Sequence, residues 1–203
     1  YVREHKDQIG DVGYDGNINF ELLVALEPDV VLLYGVSGAS AMETKLRELK
    51  IPYMYVGEYV EQIPLGKSEW LVAISEVVGR RDEGVERFSA IPSRYNSIKE
   101  RVSKSGINHP KVMINTPYGD SWFMASTSSY VAMLINDAGG DYLYKGNSSN
   151  QSLTIDMEQA AILTLQADVW INVDGVESVA ELSAKYPKFA DSPCVKAGQV
   201  YRN

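Results

Sequence analysis

Val30-Val-Leu-Leu-Tyr34 and Val169-Trp-Ile-Asn172 are runs of five and four residues, the first apolar throughout and the second apolar up to its closing asparagine. Runs that short suit strands better than helices, and continuous apolarity predicts cover on both faces, as in a parallel sheet layered with helices. Each run follows an aspartate, Asp29 or Asp168, and each aspartate follows an amphipathic segment. The first segment predicts a helix over about Phe20–Leu26, with Asn19 as N-cap, an apolar stripe of Ile18, Leu22, Leu23 and Leu26, and Pro28 closing it. The second predicts a helix over 157–166 opened by Asp156. The chain therefore repeats one device: Asn19-x-Glu21 and Asp156-x-Glu158 each open a helix that leads into a buried strand.

Further elements extend the alternation. Met42–Leu49 reads as a short helix with Met42, Leu46 and Leu49 on one side, and Tyr53-Met-Tyr-Val56 as the next strand. Tyr53 and Tyr55 read as strand residues. From Lys67 to about Lys104 the pattern is helical, with stripes of Trp70, Leu71, Ile74 and Val78, then Val85, Phe88, Ile91, Tyr95, Ile98 and Val102. Gly79 predicts a break near 79–84 and Pro92 a kink. A second α/β pattern follows: a strand at Lys111-Val-Met-Ile-Asn115, a helix over Ser128–Ala138 ended by Gly139-Gly140, a polar loop over 144–154, a helix over Val176–Tyr186 and a strand at Gln199-Val-Tyr201. The expectation is an α/β chain of two Rossmann-like lobes with parallel sheets joined by one long helix. Its parts are an N-terminal lobe over 1–66, a linking helix over 67–105 and a C-terminal lobe over 106–203. The first lobe opens on a helix with no strand before it, so a truncated N lobe is expected.

Composition narrows the function. With 19 Lys and Arg against 27 Asp and Glu, the net charge is −8, which argues against nucleic acid as a partner. Cys194 is the sole cysteine, so no intrachain disulfide can form, and beside Pro193 it reads as a small apolar filler. No apolar run reaches the ~18 residues a bilayer crossing needs. His5 and His109 stand in no metal-ligand spacing, so no metal site is expected. The loop Gly35-Val-Ser-Gly-Ala-Ser40 follows a strand but has no Walker lysine and no Gly-x-Gly-x-x-Gly spacing. Gly119-Asp-Ser121 leaves open a hydrolase using Ser121, although neither histidine has the context of a base.

Aromatic chemistry remains. The chain has 13 tyrosines, 4 phenylalanines and 3 tryptophans. Tyrosine and tryptophan join a flat apolar face to a polar handle, which suits a ligand cleft. Tyr34, Tyr59, Tyr118 and Trp122 fall where strands run out into loops, the ligand end of open α/β sheets. Tyr14 and Asn172 join them as candidate ligand-binding residues.

The run Gly16-Asn-Ile-Asn-Phe-Glu-Leu-Leu-Val-Ala-Leu-Glu-Pro-Asp-Val-Val-Leu resembles the N-lobe signature of the class III periplasmic substrate-binding proteins. These serve ABC importers of ferric siderophores, haem and vitamin B12. The likeness continues through Leu46-Arg-Glu-Leu-Lys-Ile-Pro-Tyr-Met-Tyr-Val, Lys111-Val-Met-Ile, Ala138-Gly-Gly, Ile155-Asp-Met-Glu, Ala167-Asp-Val-Trp-Ile and Val195-Lys-Ala-Gly-Gln-Val-Tyr, in order. It implies capture of a bulky metal chelate without catalysis, in the periplasm or at the outer face of the membrane with a possible lipid anchor. By motif, Glu21 and Glu158 correspond to the glutamates that dock each lobe onto arginines of the ABC permease. The loops 34–41, 57–66, 116–127, 144–154 and 172–177 hold one basic residue, Lys145, so a corrinoid or hydroxamate ferric siderophore fits better than a strongly anionic chelate. No resident cofactor and a monomeric state are expected. A ligand-sensing receptor domain of the same fold is the remaining alternative.

Overall fold

Asn19 opens the first helix through its own chemistry: its Oδ1 accepts the Leu22 amide at 3.0 Å, and α1 runs over Phe20–Ala25. The computed structural model that shows this describes residues 3–6, 9–14, 17–35, 41–106, 108–149 and 151–202. Gly16 and all but the first residue of the Gly35–Ser40 loop lie outside the described residues. The chain divides into two units, Tyr1–Glu58 and Tyr59–Asn203.

In the first unit, α1 is followed by β1 (Val31–Tyr34), α2 (Ala41–Leu49) and β2 (Tyr53–Val56). The strands pair in parallel, with Val31 beside Tyr53 and Tyr34 beside Val56. Leu23 of α1, Leu33 of β1 and Leu46 of α2 form the core, with Phe20, Val31, Met42, Ile51 and Tyr53 packed on it. Both helices thus meet the Leu33 face. The continuous apolar run predicted cover on both faces of β1, but Leu32 is 46% and Tyr34 58% exposed. Apolar character on both faces permits such cover without supplying it.

The second unit begins with helices. The expected break falls at Val78–Arg80, where Gly79 has φ +69°, and separates α3 (Pro64–Val77) from α4 (Arg81–Lys104). The two helices lie against each other where Gly84 is buried on Ser75: a Cβ at Gly84 would fall 2.4 Å from Ser75 Oγ and 2.5 Å from Ser75 Cβ. Pro92 sits inside α4, and the helix continues past it for twelve residues. Both helices belong with the second unit because they fasten onto α5 (Tyr130–Asp137). Lys67 Nζ lies 4.4 Å from the centre of the Tyr130 ring, Tyr95 donates to Asp137 Oδ2 at 2.6 Å, and Lys99 reaches Asp137 Oδ1 at 2.8 Å. Helical periodicity alone does not reveal those tertiary contacts, and the second compact unit begins at Tyr59, ahead of both helices.

Beyond α4, β3 (Lys111–Ile114), β5 (Asp141–Tyr142), β7 (Val169–Val173) and β8 (Val200–Arg202) form a parallel sheet in the order β5-β3-β7-β8. Val112, Met113 and Ile114 are buried in succession, so here the double cover is present. Two further strands, β4 (Ser121–Met124) and β6 (Leu153–Asp156), make an antiparallel ribbon. All of β4 and the first half of β6 fall in stretches expected to be loop. Four residues of ribbon carry too little periodicity to stand out, although the Gly119-Asp120 turn, with Tyr118 and Ser121 exchanging backbone hydrogen bonds across it, is a hairpin signal. The connection from β6 is α6 (Met157–Thr164), and α7 (Val179–Lys185) and α8 (Pro193–Lys196) follow β7.

Trp122 of the ribbon, Trp170 of the sheet and Phe189 are fully buried together, with ring centres 5.2 to 5.8 Å apart. Each tryptophan removes on the order of 200 Å² from water, roughly 5 kcal/mol as an upper bound. Cys194 is buried in the same core, and burial pushes its thiol up, as befits a filler.

The packing at Gly84 sets a test. Gly84→Ala, normally favourable inside a helix, is expected to lower stability by about 1–3 kcal/mol in urea unfolding because of the clash with Ser75. Adding Ser75→Gly should restore most of that loss.

Candidate functional site

The carboxyl ends of β3 and β7 in the second unit carry an Ile-Asn pair each: Ile114-Asn115 and Ile171-Asn172. Both asparagines adopt left-handed backbone, with φ +67° and +58°, which asparagine tolerates better than most residues. Their side chains lock together: Asn172 Nδ2 donates to Asn115 Oδ1 at 2.6 Å, and Asn115 Nδ2 donates to the Phe123 carbonyl at 2.7 Å. The Asn115 carbonyl accepts the Trp170 indole N–H at 2.7 Å, while the neighbouring Ile114 carbonyl accepts that of Trp122 at 2.8 Å. A fork of two amides thus ties the sheet to the ribbon.

The ribbon alternates. Trp122 and Met124 face inward, whereas Phe123 faces out and is 44% exposed. Tyr118, 78% exposed at the turn before β4, sets its ring 6.2 Å from that of Phe123 at a 57° tilt. This edge offers two aromatic surfaces beside paired amides, with Asp120 as its nearby charge. It can stack on a flat apolar surface and offer hydrogen bonds. Ser121 is a strand residue after a hairpin turn, not a nucleophile on a strand-to-helix elbow. The ring of His109 is engaged elsewhere, its Nδ1–H donating to the Gly139 carbonyl at 2.8 Å.

The expected ligand residues therefore separate. Tyr118 is exposed at this edge, and Asn172 holds it from beneath. Trp122, expected in a cleft, is instead a core residue at 0% exposure, because alternation along β4 turns it inward. Tyr59 is half-buried at the start of the second unit. In the first unit Tyr14 is 79% exposed, and Tyr34 donates to Glu58 Oε1 at 2.8 Å. Asn115 and Phe123 escaped the sequence reading; the repeated Ile-Asn at two strand ends was the signal available for the former.

Glu21 and Glu158 are exposed in the first turns of α1 and α6, where the helix dipole favours a carboxylate. The Asp156 side chain accepts the amides of Glu158 at 3.0 Å and Gln159 at 2.8 Å. Among the described residues neither glutamate carboxylate has an ion pair. Glu43 is the opposite case. It accepts from Tyr55 Oη at 2.6 Å, from Arg47 Nη2 at 2.6 Å and from Tyr53 Oη at 2.8 Å, and these bonds pull its carboxyl down to about 2. The two strand tyrosines therefore fasten β2 to α2.

The family model described as periplasmic binding protein matches residues 1–203. The chain belongs to that family. Periplasmic binding proteins are solute-binding proteins rather than enzymes. The chain is 27% identical over 197 residues to an uncharacterised lipoprotein of Methanocaldococcus jannaschii, MJ0878, an alignment covering 96% of this chain and 47% of the relative. Among solved structures, the periplasmic haem-binding protein BhuT, in complex with two haems, superposes with a TM-score of 0.71 at 18% identity, over 98% of this chain and 75% of that one. The periplasmic vitamin B12 binding protein BtuF of Vibrio cholerae gives 0.68 at 13% identity, over 96% and 72%. The structural likenesses establish the fold. The chain spans about half the length of the curated relatives it matches.

Two outcomes follow from this geometry. Because the folded-state value of Glu43 lies below its ordinary 4.5, its contribution to stability is complete above about 4.5 and is lost as pH falls toward 2. Glu43→Gln should flatten that limb in acid unfolding and lower stability at neutral pH. Trp122→Ala should cost about 3–5 kcal/mol, whereas Tyr118→Ala should change stability by no more than about 0.5 kcal/mol, both read by chemical denaturation.

Proposed function

We propose that this chain is the solute-binding part of an ABC importer and captures a bulky metal chelate, a ferric siderophore or a corrinoid. The observation that carries this reading is the aromatic and amide edge of Tyr118, Phe123, Asn115 and Asn172 at the carboxyl ends of the parallel strands, with Asp120 as its nearby charge, within a chain matched throughout by the periplasmic binding protein family. The haem and vitamin B12 ligands named for BhuT and BtuF are of the same broad class, large metal-bearing rings. Rings of the haem and corrinoid kind offer flat apolar surface to aromatic side chains and carboxylate or amide edges to asparagine, and a hydroxamate siderophore offers alkyl and amide surface to the same groups. The scarcity of basic residues near the site favours a nearly neutral chelate over a polyanionic one. Action outside the cytoplasm, on a lipid anchor in the longer protein, is supported by the lipoprotein names of two relatives. Tyr14, Tyr34 and Tyr59 are proposed as further ligand contacts. Glu21 and Glu158 are proposed to dock onto cationic residues of the permease.

Isothermal titration of the full-length protein with cyanocobalamin and with ferrioxamine B tests the ligand class. One of them should bind tighter than about 10 μM, roughly −7 kcal/mol, and Tyr118→Ala should weaken that binding about tenfold. If neither chelate reaches that affinity, the ligand assignment fails. In reconstituted vesicles, Glu21→Ala together with Glu158→Ala should slow uptake while the titrated affinity stays constant. Unchanged uptake would remove the docking role.

A further inference from the structure

Helix α6 and its C-cap residue, Leu165, carry apolar side chains that their own unit leaves uncovered. Ile162 and Leu165 are 61% and 52% exposed. They follow Glu158 at four and seven residues, a spacing that stacks all three on one helix face. The opposite face does the packing, through Ala160 and Thr164, both at 0% exposure. Isoleucine is not among the strong helix formers, so helix propensity does not account for Ile162 at an exposed position, and adjoining exposed apolar residues mark contact surfaces where isolated ones do not.

The surrounding charge indicates what would cover this strip. Residues 146–184 hold six acidic residues and no lysine or arginine. Five of the six are already engaged. Asp156 accepts two helix amides, Asp168 the Lys111 amide and Asp174 the Gly175 amide; Glu177 pairs with Arg202, and Glu181 accepts the Glu177 amide. Only the carboxylate of Glu158 has no partner among the described residues, and it heads the apolar strip. A cover must therefore bring a cation and an apolar surface together. A second copy of this chain does not fit. Two-fold pairing would set the strip against itself, and the strip holds no cation for Glu158. Two side chains are also far short of the ~800 Å² per partner that stable pairs bury. Helix α1 carries a partial counterpart, with Glu21 exposed and Val24, three residues on, 46% exposed.

We infer that Glu158, Ile162 and Leu165 form one contact strip for the permease, whose surface presents a guanidinium or ammonium group flanked by an apolar groove. The inference rests on the docking role proposed above and adds its apolar half. In this arrangement Glu158 supplies steering and register, and Ile162 and Leu165 supply the area removed from water, which slows release.

The test uses the full-length protein with the permease expressed alongside it. A photo-reactive benzoylphenylalanine at 162 or 165 should cross-link to a permease subunit, while the same group at exposed Lys188 should not. Ile162→Ser with Leu165→Ser should weaken binding to the permease in nanodiscs by roughly tenfold, with an unchanged unfolding temperature. If Glu158→Gln weakens binding and the serine pair does not, the apolar half is wrong and the docking role stands. If neither changes binding, the docking role falls as well. Cross-links between copies overturn the inference in favour of self-association. A lowered unfolding temperature with intrachain cross-links overturns it in favour of cover by another part of the longer chain.

Discussion

The indole N–H groups of Trp122 and Trp170 donate to consecutive carbonyls, those of Ile114 and Asn115, at the point where β3 stops being a strand. One tryptophan comes from the ribbon and the other from the neighbouring sheet strand. Burying either ring without those acceptors would cost the desolvation of an unpaired donor. The arrangement therefore holds ribbon and sheet in one register. The left-handed turn at Asn115, the amide fork to Asn172 and the outward facing of Phe123 all follow from it. Aromatic area supplies the energy, and the two hydrogen bonds supply the geometry.

That division of labour explains why the exposed edge can be aromatic without being loose. Tyr118 and Phe123 project from a hairpin whose inner residues, Trp122 and Met124, are fully buried. A site carried on such a ribbon is preorganised, so a ligand need not order it on binding. The charged residues show a parallel contrast. Glu43 is held by two tyrosines and an arginine and serves the fold. Glu21 and Glu158 sit at helix starts that stabilise a carboxylate while leaving it accessible.

Much of this was legible in the residues. The Asn19 and Asp156 caps, the break at Gly79, the filler role of Cys194 and the alternation of helices with parallel strands follow from local chemistry and period. Short ribbons were not legible. Ser121–Met124 and Leu153–Asp156 span four residues each, too few for a period to declare itself. Trp122 was misplaced for the same reason, since without the strand its inward direction is undetermined. Asn115 was readable as a strand end, but its role required knowing that a second strand ended in the same Ile-Asn beside it.

The sequence by itself determined the longer helices, the strands β1, β2, β3, β7 and β8, their order and parallel pairing, and the two glutamates at helix starts, because caps, breakers and apolar period act within a few residues. Only the tertiary structure decided which aromatic residues are core and which are surface, that α3 and α4 belong with the second unit, and that Glu43 rather than a better-placed carboxylate is tightly held. Those outcomes depend on contacts between residues far apart in the chain: Trp122 with Trp170, Tyr95 with Asp137, Tyr55 with Glu43. Local pattern carries no information about which distant partner a side chain will meet.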